Sequence, residues 1–146
     1  MPTKPGATPP VRFPYHASGL NAQEGALPFL PITLQHQTKT HRVDALLDSG
    51  ASVNVLPYRV GLQLGADWDA QGQMLALGGN LAAAPAKGIL LTAIVATFAP
   101  VRLVFAWSRL DATPVILGQM NFFQLFAVRF IGAEQHFEIE PSTIRR

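Results

Sequence analysis

The residues best suited to chemistry in this chain sit in one short stretch, Asp48-Ser49-Gly50-Ala51-Ser52, entered directly from Val43-Asp44-Ala45-Leu46-Leu47. An ionisable side chain is expensive to place beside a core unless it is paired or hydrogen-bonded. A carboxylate in this position has two physical readings. Asp-Ser-Gly is good turn chemistry in itself, because an Asp side chain bonds the backbone two residues on and Gly tolerates unusual dihedrals. The same carboxylate, held at the end of a buried strand with small residues beside it, is also placed to act as a general base. The local pattern leaves both open.

Other chemistries lose their carriers. The chain has no Cys, which removes thiol nucleophiles, disulfides and Cys-based zinc sites. Neither Gly-x-x-x-x-Gly-Lys nor Gly-x-Ser-x-Gly occurs, so phosphate-loop and serine-hydrolase readings have no support. His36 and His41 are five apart across an expected hairpin, which is no ligand spacing, while His16 lies in the tail and His136 in the last hairpin. We therefore expect no metal and no cofactor. Phe122, Phe123, Phe126, Phe130 and Phe137 read as core rather than as a stacking platform.

Three elements taken together carry a resemblance. Leu46-Leu47-Asp48-Ser49-Gly50-Ala51-Ser52 resembles the hydrophobic-hydrophobic-Asp-[Thr/Ser]-Gly-[Ala/Ser] signature of aspartic proteases. Downstream, Val115-Ile116-Leu117-Gly118 resembles the hydrophobic-hydrophobic-Gly element that crosses behind the active-site loop in that family. Between them, Leu75-Ala76-Leu77-Gly78-Gly79-Asn80 is similar to a Gly-rich flap hairpin. Their order and spacing resemble a retropepsin-like (retroviral-type, single-lobe) subunit of bacterial type, over residues 27–140. The resemblance implies a mainly β, closed acid-protease barrel with one or two short helices.

It also implies roles. Asp48 is the catalytic residue, supported by Ser49, Gly50 and Ala51. Ser49 is expected to hydrogen-bond across a dimer, and the Gly50 N–H to support the carboxylate. Leu77, Gly78, Gly79 and Asn80 form the flap, and Val115, Ile116, Leu117 and Gly118 the floor. Asp44, Asp67, Asp69 and Asp111 lack a following Ser/Thr-Gly, so the chain carries a single such loop. Activity then requires a homodimer, each chain giving one Asp48 across a two-fold axis. Two carboxylates about 3 Å apart share one proton and titrate as a pair, which favours acidic pH. One activates a water and the other hydrogen-bonds the scissile carbonyl of a polypeptide held extended. The chain departs from many relatives where Gly118 is followed by Gln119-Met120-Asn121 rather than Arg-Asp or Arg-Asn. Gln119 and Asn121 can supply hydrogen bonds there; Met120 cannot. The flap also lacks an aromatic near its tip. Both departures motivate a second reading, a catalytically weak or inactive dimer that binds peptides.

The elements that must position these groups are short strands separated by turn signals. We expect strands at Phe29–His36, Thr40–Leu47, Ser52–Leu56, Gln73–Leu77, Gly88–Thr97, Arg102–Trp107 and Pro114–Leu117. A closing hairpin, Ala127–Ile131 with Gln135–Ile139, turns around Gly132-Ala133. Short helices are expected at Tyr58–Leu64 and Gln119–Phe126. Residues 1–26 are rich in Pro, Gly and Ala and read as a flexible or extended tail, and 141–146 as a short C-terminal tail.

Composition adds a puzzle. The 146 residues are 49% hydrophobic but only 14% charged, against about 25% charged in ordinary soluble domains. No stretch reaches the roughly 18 to 20 apolar residues of a membrane helix, and no N-terminal apolar leader is seen. We therefore expect a cytoplasmic protein with no membrane contact. A net charge of +2 gives no nucleic-acid signal. The remaining expectation is that a second copy covers part of the apolar surface.

Overall fold

Alternating apolar residues commit most of this chain to strands with one face in a core. The computed structural model describes residues 8–19, 23, 25–71, 74, 75 and 85–142. Among these the chain order is β1 (Val11–Pro14), β2 (Phe29–His36), β3 (Lys39–Leu47), β4 (Asn54–Leu56), α1 (Tyr58–Gln63), β5 (Met74–Leu75), β6 (Ala86–Val95), β7 (Val101–Ser108), β8 (Val115–Leu117), α2 (Phe122–Leu125), β9 (Phe126–Ile131) and β10 (His136–Pro141). In β2 the inward set is Leu30, Ile32 and Leu34; in β6 it is Ile89, Leu91, Ala93 and Val95; in β7 it is Leu103, Phe105 and Trp107.

Strands β2, β3, β8, β4, β7 and β6 pair in that order, and β2 pairs again with β6 from Ile32 opposite Val95 to Gln35 opposite Thr92. Six strands thus close into a barrel, with β5 added beside β6. Closure removes the free edges that an open sheet would present. A separate three-stranded sheet, β1-β10-β9, packs on the barrel. Its Phe126, Phe137 and Ile139 belong to the same buried cluster as Leu30, Leu91 and Phe105. Helix α1 lies against β7 through Val60, while its Gly61 meets the Trp107 ring so closely that an added Cβ would sit 2.1 Å from Cε2.

Several expectations shift. The helix expected at Gln119–Phe126 shrinks to Phe122–Leu125, because Met120 bridges Val53 and the N–H groups of residues 119 and 120 bond the loop that follows Asp48. The strand expected at Ser52–Leu56 pairs regularly only over Asn54–Leu56. Within the expected tail, Val11–Pro14 forms β1 against β10, and His16 bridges Leu27. Its alternation, Val11 and Phe13 partly buried and Arg12 and Pro14 exposed, is too short to stand out among prolines. Phe122, Phe126 and Phe137 are core, whereas Phe130 remains 40% exposed at the edge of β9. No helix among the described residues is long and apolar enough to cross a membrane.

Candidate active site

Strand β3 runs parallel to β8, with Ala45 opposite Val115, Leu46 opposite Ile116 and Leu47 opposite Leu117. The ladder continues one residue further, where the Asp48 N–H donates to the Leu117 carbonyl at 3.0 Å. Ala45, Leu47, Val115 and Leu117 are buried, so this two-strand rail is anchored in the core on one face. Asp48 is therefore the first residue beyond a rigid support. The chain then turns. The Gly50 N–H donates to Asp48 Oδ1 at 2.9 Å, and the Ala51 N–H donates to the Asp48 carbonyl at 3.0 Å. Turn and site are thus the same object: one carboxylate oxygen fastens the loop, and Oδ2 has no hydrogen-bond partner among the described residues. Asp48 is half-buried, and Ser49 and Gly50 are exposed.

The segment after β8 holds this loop from beneath. Gln119 and Met120 donate their N–H groups to the carbonyls of Ala51 and Ser52, both at 2.9 Å. The Gln119 side chain reaches the Ser49 carbonyl at 2.7 Å. At the crossing, Gly118 leaves no room: a Cβ there would lie 2.6 Å from the Val53 carbonyl oxygen and 2.7 Å from that of Ala51. Only glycine permits this approach of two backbones.

A buried amide locks the crossing. Asn54 has no exposed surface, yet all its polar atoms are used. Its Oδ1 accepts the Gly118 N–H at 2.8 Å, and its Nδ2 donates to the Val104 carbonyl at 3.0 Å and to Asn121 Oδ1 at 3.1 Å. Asn121 Oδ1 also accepts the Val104 N–H, and its Nδ2 donates to the Arg102 carbonyl, each at 3.1 Å. A satisfied network centred on a buried amide fixes one arrangement. The loop is thereby tied through Gly118 and Asn54 to β7.

The structure brings together Asp48, Ser49, Gly50, Ala51, Val115, Ile116, Leu117 and Gly118. Of the expected floor, Val115 and Leu117 point into the core and Ile116 is half-buried. The expected flap residues Leu77, Gly78, Gly79 and Asn80 lie outside the described residues. The Ser49 hydroxyl has no partner among the described residues, and Asp48 forms no ion pair there. After Gly118, Gln119 and Asn121 act through their side chains, while Met120, 59% exposed, contributes only its backbone. Sequence reasoning missed Asn54. Its signal was a lone amide inside the apolar run Val53-Asn54-Val55-Leu56.

A cavity of about 250 Å³ lined by Ser18, His41, Asp44 and Arg59, among others, does not reach Asp48. Among the described residues no three His, Asp or Glu side chains gather into a metal-binding group.

No protein-family profile matches this sequence, and no curated protein does. Solved structures do. A retropepsin-like aspartic protease from Rickettsia conorii superposes with a TM-score of 0.58 at 16% identity, over 91% of this chain and 93% of that one. EIAV protease complexed with the inhibitor HBY-793 matches with a TM-score of 0.50 at 18% identity, over 67% of this chain and 86% of that one. This chain, a closed β-barrel with a loop-bearing Asp48 braced by a crossing Gly118, has the retropepsin-like fold.

Proposed function

We propose that the protein is an aspartic endopeptidase in which two copies of Asp48, one from each chain of a homodimer, activate a water between them. The observation that carries this reading is Asp48 itself. It stands at the end of the β3–β8 rail, with Oδ1 held by the Gly50 N–H and Oδ2 without a partner among the described residues. The likeness of the fold to two solved aspartic proteases, over 91% and 67% of this chain, supports the same chemistry. A lone exposed carboxylate is a poor catalyst for amide hydrolysis, whereas a pair sharing one proton supplies base and acid together.

The steps follow from that pairing. The ionised carboxylate takes a proton from the water as it attacks the scissile carbonyl carbon. The protonated carboxyl hydrogen-bonds the carbonyl oxygen as it becomes a tetrahedral oxyanion. Collapse of the intermediate breaks the C–N bond, the amine leaves with a proton from the dyad, and no acyl-enzyme forms. The substrate is a polypeptide in extended form, read strand-wise between Leu77-Gly78-Gly79-Asn80 and the floor at Val115-Ile116-Leu117-Gly118. Ser49 and Ala51 complete the support around the dyad.

The test is a peptidase assay on an unfolded protein between pH 3 and 7, with and without a pepstatin-type inhibitor. Wild type should cleave with an acidic optimum, and Asp48→Ala should not. Equal inertness of both chains under these conditions, with dimers intact, would overturn the assignment.

A further inference from the structure

Helix α1 lacks a cap of its own. Pro57 stands at its N-cap and has no side-chain oxygen to offer. The leading N–H groups of the helix then need acceptors from elsewhere. The connection from β7 to β8 supplies them. The Leu110 carbonyl accepts the Tyr58 N–H at 3.2 Å, and Asp111 Oδ1 accepts the Arg59 N–H at 2.7 Å. Arg59 Nη1 donates in return to the Asp111 carbonyl at 2.7 Å. The Leu110 N–H bonds the hydroxyl of Ser108, a residue with no exposed surface. Residues 108–111 are thereby fastened to the start of α1.

Arg109 lies inside that fastened stretch and reaches in two directions. Its N–H donates to the Pro85 carbonyl at 3.0 Å, which extends the β6–β7 ladder one residue beyond the pairing of Ala86 with Ser108. Its guanidinium sits 4.6 Å from the centre of the Tyr58 ring and 5.1 Å from that of Trp68. Lys87 approaches Trp68 as well, with Nζ 5.1 Å from the ring centre and 2.9 Å from the Trp68 carbonyl oxygen. Both rings rest on buried Trp107, Tyr58 stacked at 5.6 Å and Trp68 edge-on at 5.2 Å. A cation placed over aromatic rings is attracted by each of them. The planar guanidinium also stacks on a ring in a way an ammonium cannot.

These contacts join both strands of the antiparallel pair β5–β6 to one point. A short helical turn at Trp68–Ala70 runs on to β5, and Lys87 on β6 lies directly opposite Met74 of β5. The approach to β5 is thus gripped at Trp68, and β6 at Pro85 and Lys87. Arg109 touches both sides, from a connection that ends in β8, the floor strand. The side-chain bonds that brace the Asp48 loop, from Asn54 and Gln119, involve none of these residues. We propose that Arg109 is a positioning residue for substrate binding: it pins the β5–β6 pair to the connection leading into β8 and so fixes that pair relative to the floor. The inference rests on the protease reading, in which an extended polypeptide passes between the segment joining β5 to β6 and the floor. Arg109 itself makes no contact with substrate and acts through Trp68, Tyr58 and Pro85. Loosening the pin weakens binding and leaves the carboxylate chemistry as it was, so it raises KM rather than lowering kcat.

Arg109→Gln in the full chain tests this with two readouts that need no catalysis. The chain has two tryptophans, and Trp107 has no exposed surface, so acrylamide quenching reports on Trp68. Quenching should rise as the guanidinium leaves the ring. Amide exchange over residues 86–90 should quicken roughly tenfold, with exchange in the Asp48 loop unchanged. In the peptidase assay KM should rise roughly tenfold while kcat stays within about twofold. Should Arg109→Gln fail to fold, Lys87→Gln decides. It removes the bond to the Trp68 carbonyl, leaves the acceptors of α1 in place, and should move quenching, exchange and KM in the same sense. Unchanged quenching and exchange in a folded variant overturn the pin. A loosened β6 with unchanged KM, or a kcat that falls as far as kcat/KM, overturns its role in binding substrate. A wild type without peptidase activity, whose β6 still loosens in the variant, leaves the pin standing and removes the protease reading.

Discussion

Replacing Gly118 by Ala is the sharpest perturbation of the candidate site that leaves every polar group in place. The new Cβ would lie 2.6 Å from the Val53 carbonyl oxygen and 2.7 Å from the Ala51 carbonyl oxygen. Ordinary carbon–oxygen contacts begin near about 3.3 Å, so the deficit is roughly 0.6 to 0.7 Å against two backbone atoms at once. Neither can rotate away as a side-chain tip would. The Ala51–Val53 segment must separate from Gly118, and that movement stretches the 2.9 Å bonds that Gln119 and Met120 donate to Ala51 and Ser52. Overpacking of this kind costs about 1 to 3 kcal/mol, and each weakened hydrogen bond adds about 0.5 to 1.5 kcal/mol. We expect a loss of about 2 to 6 kcal/mol, a large share of the roughly 5 to 15 kcal/mol typical of a folded domain. In a chain of this size that lowers the melting temperature by roughly 5 to 15 °C. Peptidase activity measured well below the new midpoint should fall by about a hundredfold, since a displacement approaching 1 Å reaches Asp48. Calorimetry and the peptidase assay on the same preparation provide both numbers. A Gly118→Ala protein that melts within 2 °C of wild type and retains its activity would refute the crossing as the brace of the loop.

Three further outcomes follow from the same geometry. Asn54→Ala strands the buried Gly118 N–H and removes the link to Val104 and Asn121, and urea denaturation should show a loss of about 2 to 4 kcal/mol. Gly61→Ala drives a Cβ into the Trp107 ring, which lies buried against β4 and α1; a thermal melt should register at least about 3 kcal/mol of destabilisation, or the chain should not fold. Asp48→Asn retains the acceptor for the Gly50 N–H, so its melting temperature should stay within about 2 °C of wild type while peptide cleavage disappears.

How far the sequence spoke depended on the kind of signal. Phe29–His36 is recovered to the residue because Leu30, Ile32 and Leu34 alternate cleanly and the turn at Gln37 and Thr38 ends the run. The β3–β8 rail and its crossing glycine were legible as Leu46-Leu47-Asp48 and Val115-Ile116-Leu117-Gly118, since buried strands must be apolar and a close backbone approach must be glycine. β1 was not legible: four residues among prolines gain strand character only from β10, a partner far away in sequence. The short extent of α2 was hidden for a similar reason. Helical spacing of Phe122, Phe123 and Phe126 is a local pattern, whereas the non-helical path of Gln119 and Met120 is held by the carbonyls of Ala51 and Ser52. Asn54 was overlooked because one amide in a strand has no periodicity; its importance lies in three side-chain bonding partners that no local pattern shows.

The parallel pairing of β3 with β8 also has a consequence in time. Strand β3 ends at Leu47, and β8 begins at Val115, so the rail beneath Asp48 joins segments separated by most of the barrel. Such a contact incurs a long loop closure before it gains stability, and it forms late in folding. On the ribosome the first half of the chain emerges without its crossing strand, and the Asp48 loop then has neither the Leu117 carbonyl nor Gly118 to shape it. The carboxylate acquires its geometry only after the crossing segment at Leu117 and Gly118 has been made. The order of synthesis thus keeps the candidate active site unassembled in every nascent chain.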